Sequence, residues 1–134
     1  MLKQITVYAE NKKGTMKDIT GILASHNINI WGSVTNDGAE YGINRMVVSD
    51  PDKAKEVLTE RGYLCRFVDV LAVEIEDKPG ALNTLLTALL DSNVNVDYTY
   101  LSFNRDSSTP VMILHTADPE EVEICLKAKG FKMV

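Results

Sequence analysis

The chain has 134 residues, of which 45% are hydrophobic and 25% charged, and a net charge of −5 at pH 7. These are the proportions of a water-soluble globular protein built as one ordinary domain or two very small ones. The acidic balance argues against a nucleic-acid partner, Glu10, Lys12 and Lys13 interrupt any secretory leader, and no apolar run is long enough to span a membrane.

Gln4 to Glu10 alternates, with Ile5, Val7 and Ala9 on one face, and predicts a half-buried strand. After a turn over Asn11 to Gly14, Met16, Ile19, Leu23 and His26 recur at helical spacing, and Asn27 is a fitting terminator. Ile28 to Thr35 alternates again, placing Ile28, Ile30 and Val34 on one face and Asn29, Trp31 and Ser33 on the other. Asn36-Asp37-Gly38 reads as a hairpin turn and Tyr41 to Ser49 as the return strand. Asp50 with Pro51 opens a second helix, Gly62 closes it, and Tyr63 to Val68 forms a fourth strand.

The pattern then starts again. Adding 66 to a residue number pairs Val7 with Val73, Glu10 with Glu76, Lys12 with Lys78, Gly14 with Gly80, Leu23 with Leu89, Asn27 with Asn93 and Asn29 with Asn95. Seven identities exceed the roughly one or two that average composition gives by chance. Further on the offset becomes 68, pairing Asp50-Pro51 with Asp118-Pro119, Leu58 with Leu126 and Gly62 with Gly130. The chain is an internal duplication, with two residues inserted between Ser102 and Ser108.

In the second copy, strand Val70 to Glu76 follows almost without a linker, so the preceding strand is expected to run straight into it. Helix Leu82 to Leu90, strands Val94 to Ser102 and Pro110 to Ala117, a helix opened by Asp118-Pro119 with Glu121 as a capping-box variant, and a short strand Phe131 to Val134 complete it. Each copy is βαββαβ, an α+β ferredoxin-like unit with helices on one face of an antiparallel sheet. The domains expected are 1–68 and 69–134. Copies this small hold marginal cores, so they are expected to pack side by side.

Strand, then Asp77-Lys78-Pro79-Gly80-Ala81-Leu82, then helix and Asn93-Val94-Asn95-Val96, resembles the ACT domain, a small regulatory module that binds amino acids. Asn11-Lys12-Lys13-Gly14-Thr15-Met16 with Asn27-Ile28-Asn29-Ile30 is a looser match, with Lys13 where proline is usual. The resemblance covers essentially the whole chain, as a tandem pair with no catalytic domain attached. It implies that ligand sits between the first loop of one unit and the second strand of the other. Asn11, Gly14, Thr15 and Met16 would then face Asn95, and Asp77, Gly80, Ala81 and Leu82 would face Asn29.

The residue types fit those implied roles. Backbone N–H groups at Thr15, Met16, Ala81 and Leu82 suit an α-carboxylate at a helix start, and the side chains of Asn11, Asn29, Asp77 and Asn95 suit an α-ammonium. The missing proline and the replacement of Asp77 by Asn11 predict sites of unequal affinity. Plain turn glycines, solvated asparagines and a core or surface role for His26 and His115 are the bland readings of the same residues.

No nucleophile elbow, phosphate loop or zinc-protease signature is present, and neither loop carries the arginine or the CxxC that other proteins of this fold use. Cys65 and Cys125 read as small buried residues of a cytoplasmic protein, not a disulfide or a metal site. The expectation is a non-enzymatic cytoplasmic homodimer, without cofactor or metal, that binds an amino acid and signals to a partner enzyme or regulator. The alternative is an interaction module that assembles through its sheets.

Overall fold

The computed structural model describes residues 1–38 and 41–134. Tight clustering of the backbone divides these into two compact units, Lys3–Val68 and Asp69–Val134, the latter with Met1–Leu2.

The first unit contains β1 (Leu2–Ala9), α1 (Thr15–Ser25), β2 (Ile30–Asp37), β3 (Gly42–Val48), α2 (Pro51–Glu60) and the start of β4 (Leu64–Glu74). Its sheet order is β2-β3-β1-β4. β3 pairs antiparallel with β1, Val7 opposite Asn44 and Ala9 opposite Gly42. Ile5, Val7, Ile19, Leu23, Met46, Val57 and Leu58 form its core, all but out of reach of water. α1 buries Ile19, Ile22 and Leu23, the stripe that its spacing predicts.

The second unit contains the rest of β4, α3 (Ala81–Asp91), β5 (Tyr98–Phe103), β6 (Pro110–His115), α4 (Pro119–Ala128) and β7 (Lys132–Met133). Its order is β4-β6-β5, with β7 also on β4. Leu71, Val73, Leu85, Leu89, Leu114 and Leu126 make a core of its own. Val73, Leu85, Leu89 and Leu126 stand where the repeat puts Val7, Ile19, Leu23 and Leu58. The expected continuity of the strand across residues 68 to 70 is present as the single element β4.

Four local expectations change. β2 carries a bulge between Ile30 and Gly32, after which Ser33 faces Met46 and Thr35 faces Asn44. An extra residue exchanges the two faces of everything beyond it. Val34 therefore shares the face of Arg45, not that of Ile30. β2 also runs on to Asp37, which pairs with Gly42, so Asn36 and Asp37 lie in the strand and not in the turn. Residues 94–97 lie outside β5, which begins at Tyr98. Finally, Asp50 caps α2 by accepting from Lys53 N–H at 3.1 Å, whereas the Asp118 side chain makes no capping bond to α4. Asn27 and Asn93 end their helices in the left-handed conformation, both at φ 57°.

Two measurements check these energetics. Asp50→Ala should lower unfolding free energy by about 1 kcal/mol and Asp118→Ala by a few tenths at most, read from urea denaturation. Burial raises the pKa of the Glu74 carboxyl, but hydrogen bonds from Lys132, Asn104 and Thr109 outweigh it and hold the group below its ordinary 4.5. A depressed carboxyl stabilises the fold above its unfolded pKa and loses that contribution as pH falls through the folded value. Glu74→Gln should therefore flatten the stability decline below about pH 4.5 relative to wild type, measured as Tm against pH.

Candidate functional site

In each unit the first strand turns into the first helix through a glycine at positive φ, Gly14 at 90° and Gly80 at 86°. The two turns bond alike. Lys12 N–H donates to Glu10 O at 3.0 Å and Thr15 N–H to Lys12 O at 3.1 Å; Lys78 N–H donates to Glu76 O at 3.0 Å and Ala81 N–H to Lys78 O at 3.2 Å. Lys13 in place of Pro79 leaves this backbone unchanged. The next helical bonds run from Asp18 N–H to Gly14 O and from Thr84 N–H to Gly80 O, both 2.9 Å. Neither helix has a side-chain cap. Thr15 and Ala81 N–H, expected to be open to a carboxylate, are thus used in closing the turn. The helix-start groups without an acceptor among the described residues are the N–H of Met16 and Lys17, and of Leu82 and Asn83.

The walls beside the two turns differ. In the first unit Asn11, Thr15, Met16, Thr35, Gly42 and Asn44 line a cavity of only about 20 Å³. Gly42 lets the loop lie close, since a Cβ there would come within 3.1 Å of Asn11 Cβ. Asn44 Nδ2 donates to Thr35 Oγ1 at 2.7 Å, to Ser33 Oγ at 3.2 Å and to Met16 Sδ at 3.6 Å. In the second unit Asp77, Gly80, Ala81 and Leu82 open on a cavity of about 570 Å³ whose far wall is Leu86, Leu101, Phe103 and Pro110. That wall leaves much apolar surface uncovered in its unit, with Leu101 49% and Phe103 48% exposed.

Asn29 and Asn95 lie elsewhere. Ala9, at the loop end, pairs with Gly42, while Ile30 pairs with Val48 six residues along β3, roughly 20 Å away at the rise of a strand. Asn29 is tied there through its backbone, its N–H to Ser49 Oγ at 2.9 Å and its C=O to Ser49 N–H at 2.9 Å. Asn95 donates to Asp97 Oδ1 at 3.2 Å and lines a separate cavity of about 410 Å³ with Asp97, Thr116, Asp118, Glu121 and Cys125. Asp97 also bonds His115 Nδ1 at 2.8 Å, and the imidazole stacks on Tyr98 at 5.0 Å. Within its own unit, then, neither asparagine meets the loop. Cys65 is buried as expected, but Cys125 is half-buried, with its Sγ 3.1 Å from Ser92 Oγ.

Thr35, Asn44, Leu101 and Phe103 are wall residues that sequence reasoning missed. The bulge hides Thr35, because strict alternation puts it on the face opposite to the one it takes. Among the described residues no group of three His, Cys, Asp or Glu side chains is placed to hold a metal, and no helix is long and apolar enough to cross a membrane.

Two α+β ferredoxin-like units in tandem, each with an uncapped helix start behind a left-handed glycine, define a class of paired α+β modules. The family model described as an ACT domain pair matches residues 1–133, and the chain belongs to that family. Among solved structures it is similar to a protein from Bacteroides thetaiotaomicron, with 29% identity, TM-score 0.90, and coverage of 99% of this chain and 91% of that one. It also resembles the ligand-free regulatory subunit of aspartate kinase from Thermus thermophilus (16% identity, TM-score 0.70, 96% and 90% covered). The corresponding subunit from Thermus flavus gives 18%, 0.64, 94% and 88%. These two likenesses establish the fold. No curated protein sequence matches the chain.

A Cβ at either turn glycine meets no atom within 4 Å, so the whole penalty of substitution is conformational. Gly14→Ala and Gly80→Ala should each destabilise by about 1–2 kcal/mol with an unchanged circular dichroism spectrum.

Proposed function

We propose that the protein is a non-catalytic regulatory module that binds a small amino acid, its α-carboxylate received at the starts of α1 and α3. The observation that carries this reading is the pair of uncapped helix starts, each at the mouth of a cavity and each preceded by a left-handed glycine that clears the approach. Such a terminus presents donors and positive dipole to an anion. Asn11 and Asp77 stand beside the two turns, where a ligand ammonium would be met. Asn29 and Asn95 are remote from the loop of their own unit.

The regulatory subunits among the structural likenesses support an output through a partner enzyme or regulator, and we place the module in the cytoplasm as a homodimer. The exposed Leu101 and Phe103 favour a second reading, an interaction module in which the apolar wall is a protein contact. The two readings separate on ligand response.

Titration of the full chain with the twenty amino acids should give saturable heat with at least one. The same ligand at a hundred times its Kd should raise stability by about 2.7 kcal/mol, seen as a higher Tm. Gly80→Asp, which sets a carboxylate where the ligand's would sit, should abolish binding at the second loop. Silence from all twenty, with Leu101→Glu dissociating an oligomer in sedimentation, would establish the interaction module instead.

A further inference from the structure

The duplication supplies an internal control for the loop sites, and the copies part at the wall that faces the helix start. Asn44 lies opposite Val7 and Thr35, and Met112 opposite Val73 and Leu101, so Thr35 and Leu101 are structural counterparts. Asp37 opposite Gly42 answers in the same way to Phe103 opposite Pro110. On the helices the offset of 66 sets Thr20 against Leu86. Two hydroxyls and a carboxylate in one unit are thus two leucines and a phenylalanine in the other. All three apolar residues line the cavity of about 570 Å³ that opens at Gly80, against about 20 Å³ at the first turn.

Leu101 and Phe103 lie outside the packed core of their unit and are half exposed, and Leu86 is 37% exposed. Water reaches this wall, so a ligand side chain reaches it too, and covering it is favourable in proportion to the apolar area removed from water. The other end of the same cavity is polar and unmet. The N–H groups of Leu82 and Asn83 have no acceptor, and the Asp77 carboxylate has neither hydrogen bond nor ion pair among the described residues. Its neighbour Lys78 is held by Glu76 at 2.6 Å and does not neutralise it. Paired donors, a free carboxylate and an apolar wall on one cavity complement a molecule with a carboxylate, an ammonium and an apolar tail.

Resting on the amino-acid-binding reading above, we propose that the second loop site selects an α-amino acid with a large apolar side chain, of the size of leucine to phenylalanine, and that Leu101 and Phe103 are its specificity-determining residues. The carboxylate and ammonium are common to every amino acid, so discrimination falls to the wall. A side chain of alanine's size leaves the wall wet. An amide of leucine's size fills the same space but gives up its hydrogen bonds with water to a surface that returns none.

The test is calorimetric, on the full chain, with leucine, phenylalanine, alanine and asparagine, the last matching leucine in shape. Wild type should bind leucine and phenylalanine about tenfold or more tightly than alanine or asparagine, the effect of burying several more carbons. Leu101→Thr with Phe103→Ser, which changes two half-exposed positions outside the core, should bring leucine to within about threefold of alanine while alanine's own affinity holds. A leucine preference that survives in the folded double variant would overturn the assignment. Loss of alanine along with leucine would overturn it too, since the wall would then serve the whole site and discriminate nothing. A wild type that binds some amino acid without favouring leucine and phenylalanine would overturn it while leaving the amino-acid reading standing. No heat with any of the twenty would remove that reading, and this one with it.

Discussion

Everything in each unit hangs on one backbone requirement, a residue at φ near +90° between the first strand and the first helix. An L side chain there is strained, so Gly14 and Gly80 are fixed by conformation before any question of ligand arises. The turn is closed by the bonds Thr15 N–H to Lys12 O and Ala81 N–H to Lys78 O, and it sends the helix back over the sheet at once. Only then do Ile19 and Leu23, or Leu85 and Leu89, meet the inward faces of the strands. The same glycine that permits the fold has no side chain to cap the helix. Unbonded N–H groups at that end are a consequence of the topology, and the proposed carboxylate site uses what folding already leaves there.

The duplicate copies show which features are structural and which are free to drift. Core pairs such as Val7 with Val73 and Leu58 with Leu126 are unchanged, because volume at a close-packed position is constrained. The loop proline is dispensable: Lys13 and Pro79 occupy turns with the same hydrogen bonds. The copies also differ on the wall in front of the helix start, where Thr35, Gly42 and Asn44 answer to Leu101, Pro110 and Met112. Asn44 puts an amide at a place the other copy fills with methionine, at an energetic disadvantage to its unit.

Much of this was legible in the sequence. The repeat gave the number of units, two-residue and helical periodicity gave each element, and Asp50 with Pro51 announced a true cap. The wall was not legible, because the bulge at Trp31 adds one residue to β2 and reverses its faces from Ser33 onward. A period-2 reading has no signal for an inserted residue, so it groups Val34 with Ile30 and Ser33 with Trp31. Asp118 failed as a cap for a related reason: Asp-Pro has the right composition, but the bond depends on a side-chain rotamer that sequence does not encode.

The division of labour within each loop site has a further consequence. In the proposed function, backbone N–H groups receive the carboxylate that all α-amino acids share, so they add the same binding free energy for each and discriminate among none. Selectivity is a difference of affinities and has to come from the wall. Here the walls differ in extent, the first closed to about 20 Å³ beside Met16, Thr35 and Asn44 and the second wide, with Leu101 and Phe103 on it. Two turns with the same backbone and walls of different size thus give the two proposed sites different means of selection. Duplication followed by change at the wall positions is thus a physically sufficient route from one wall to two, with the hydrogen bonds of the turn retained in both copies.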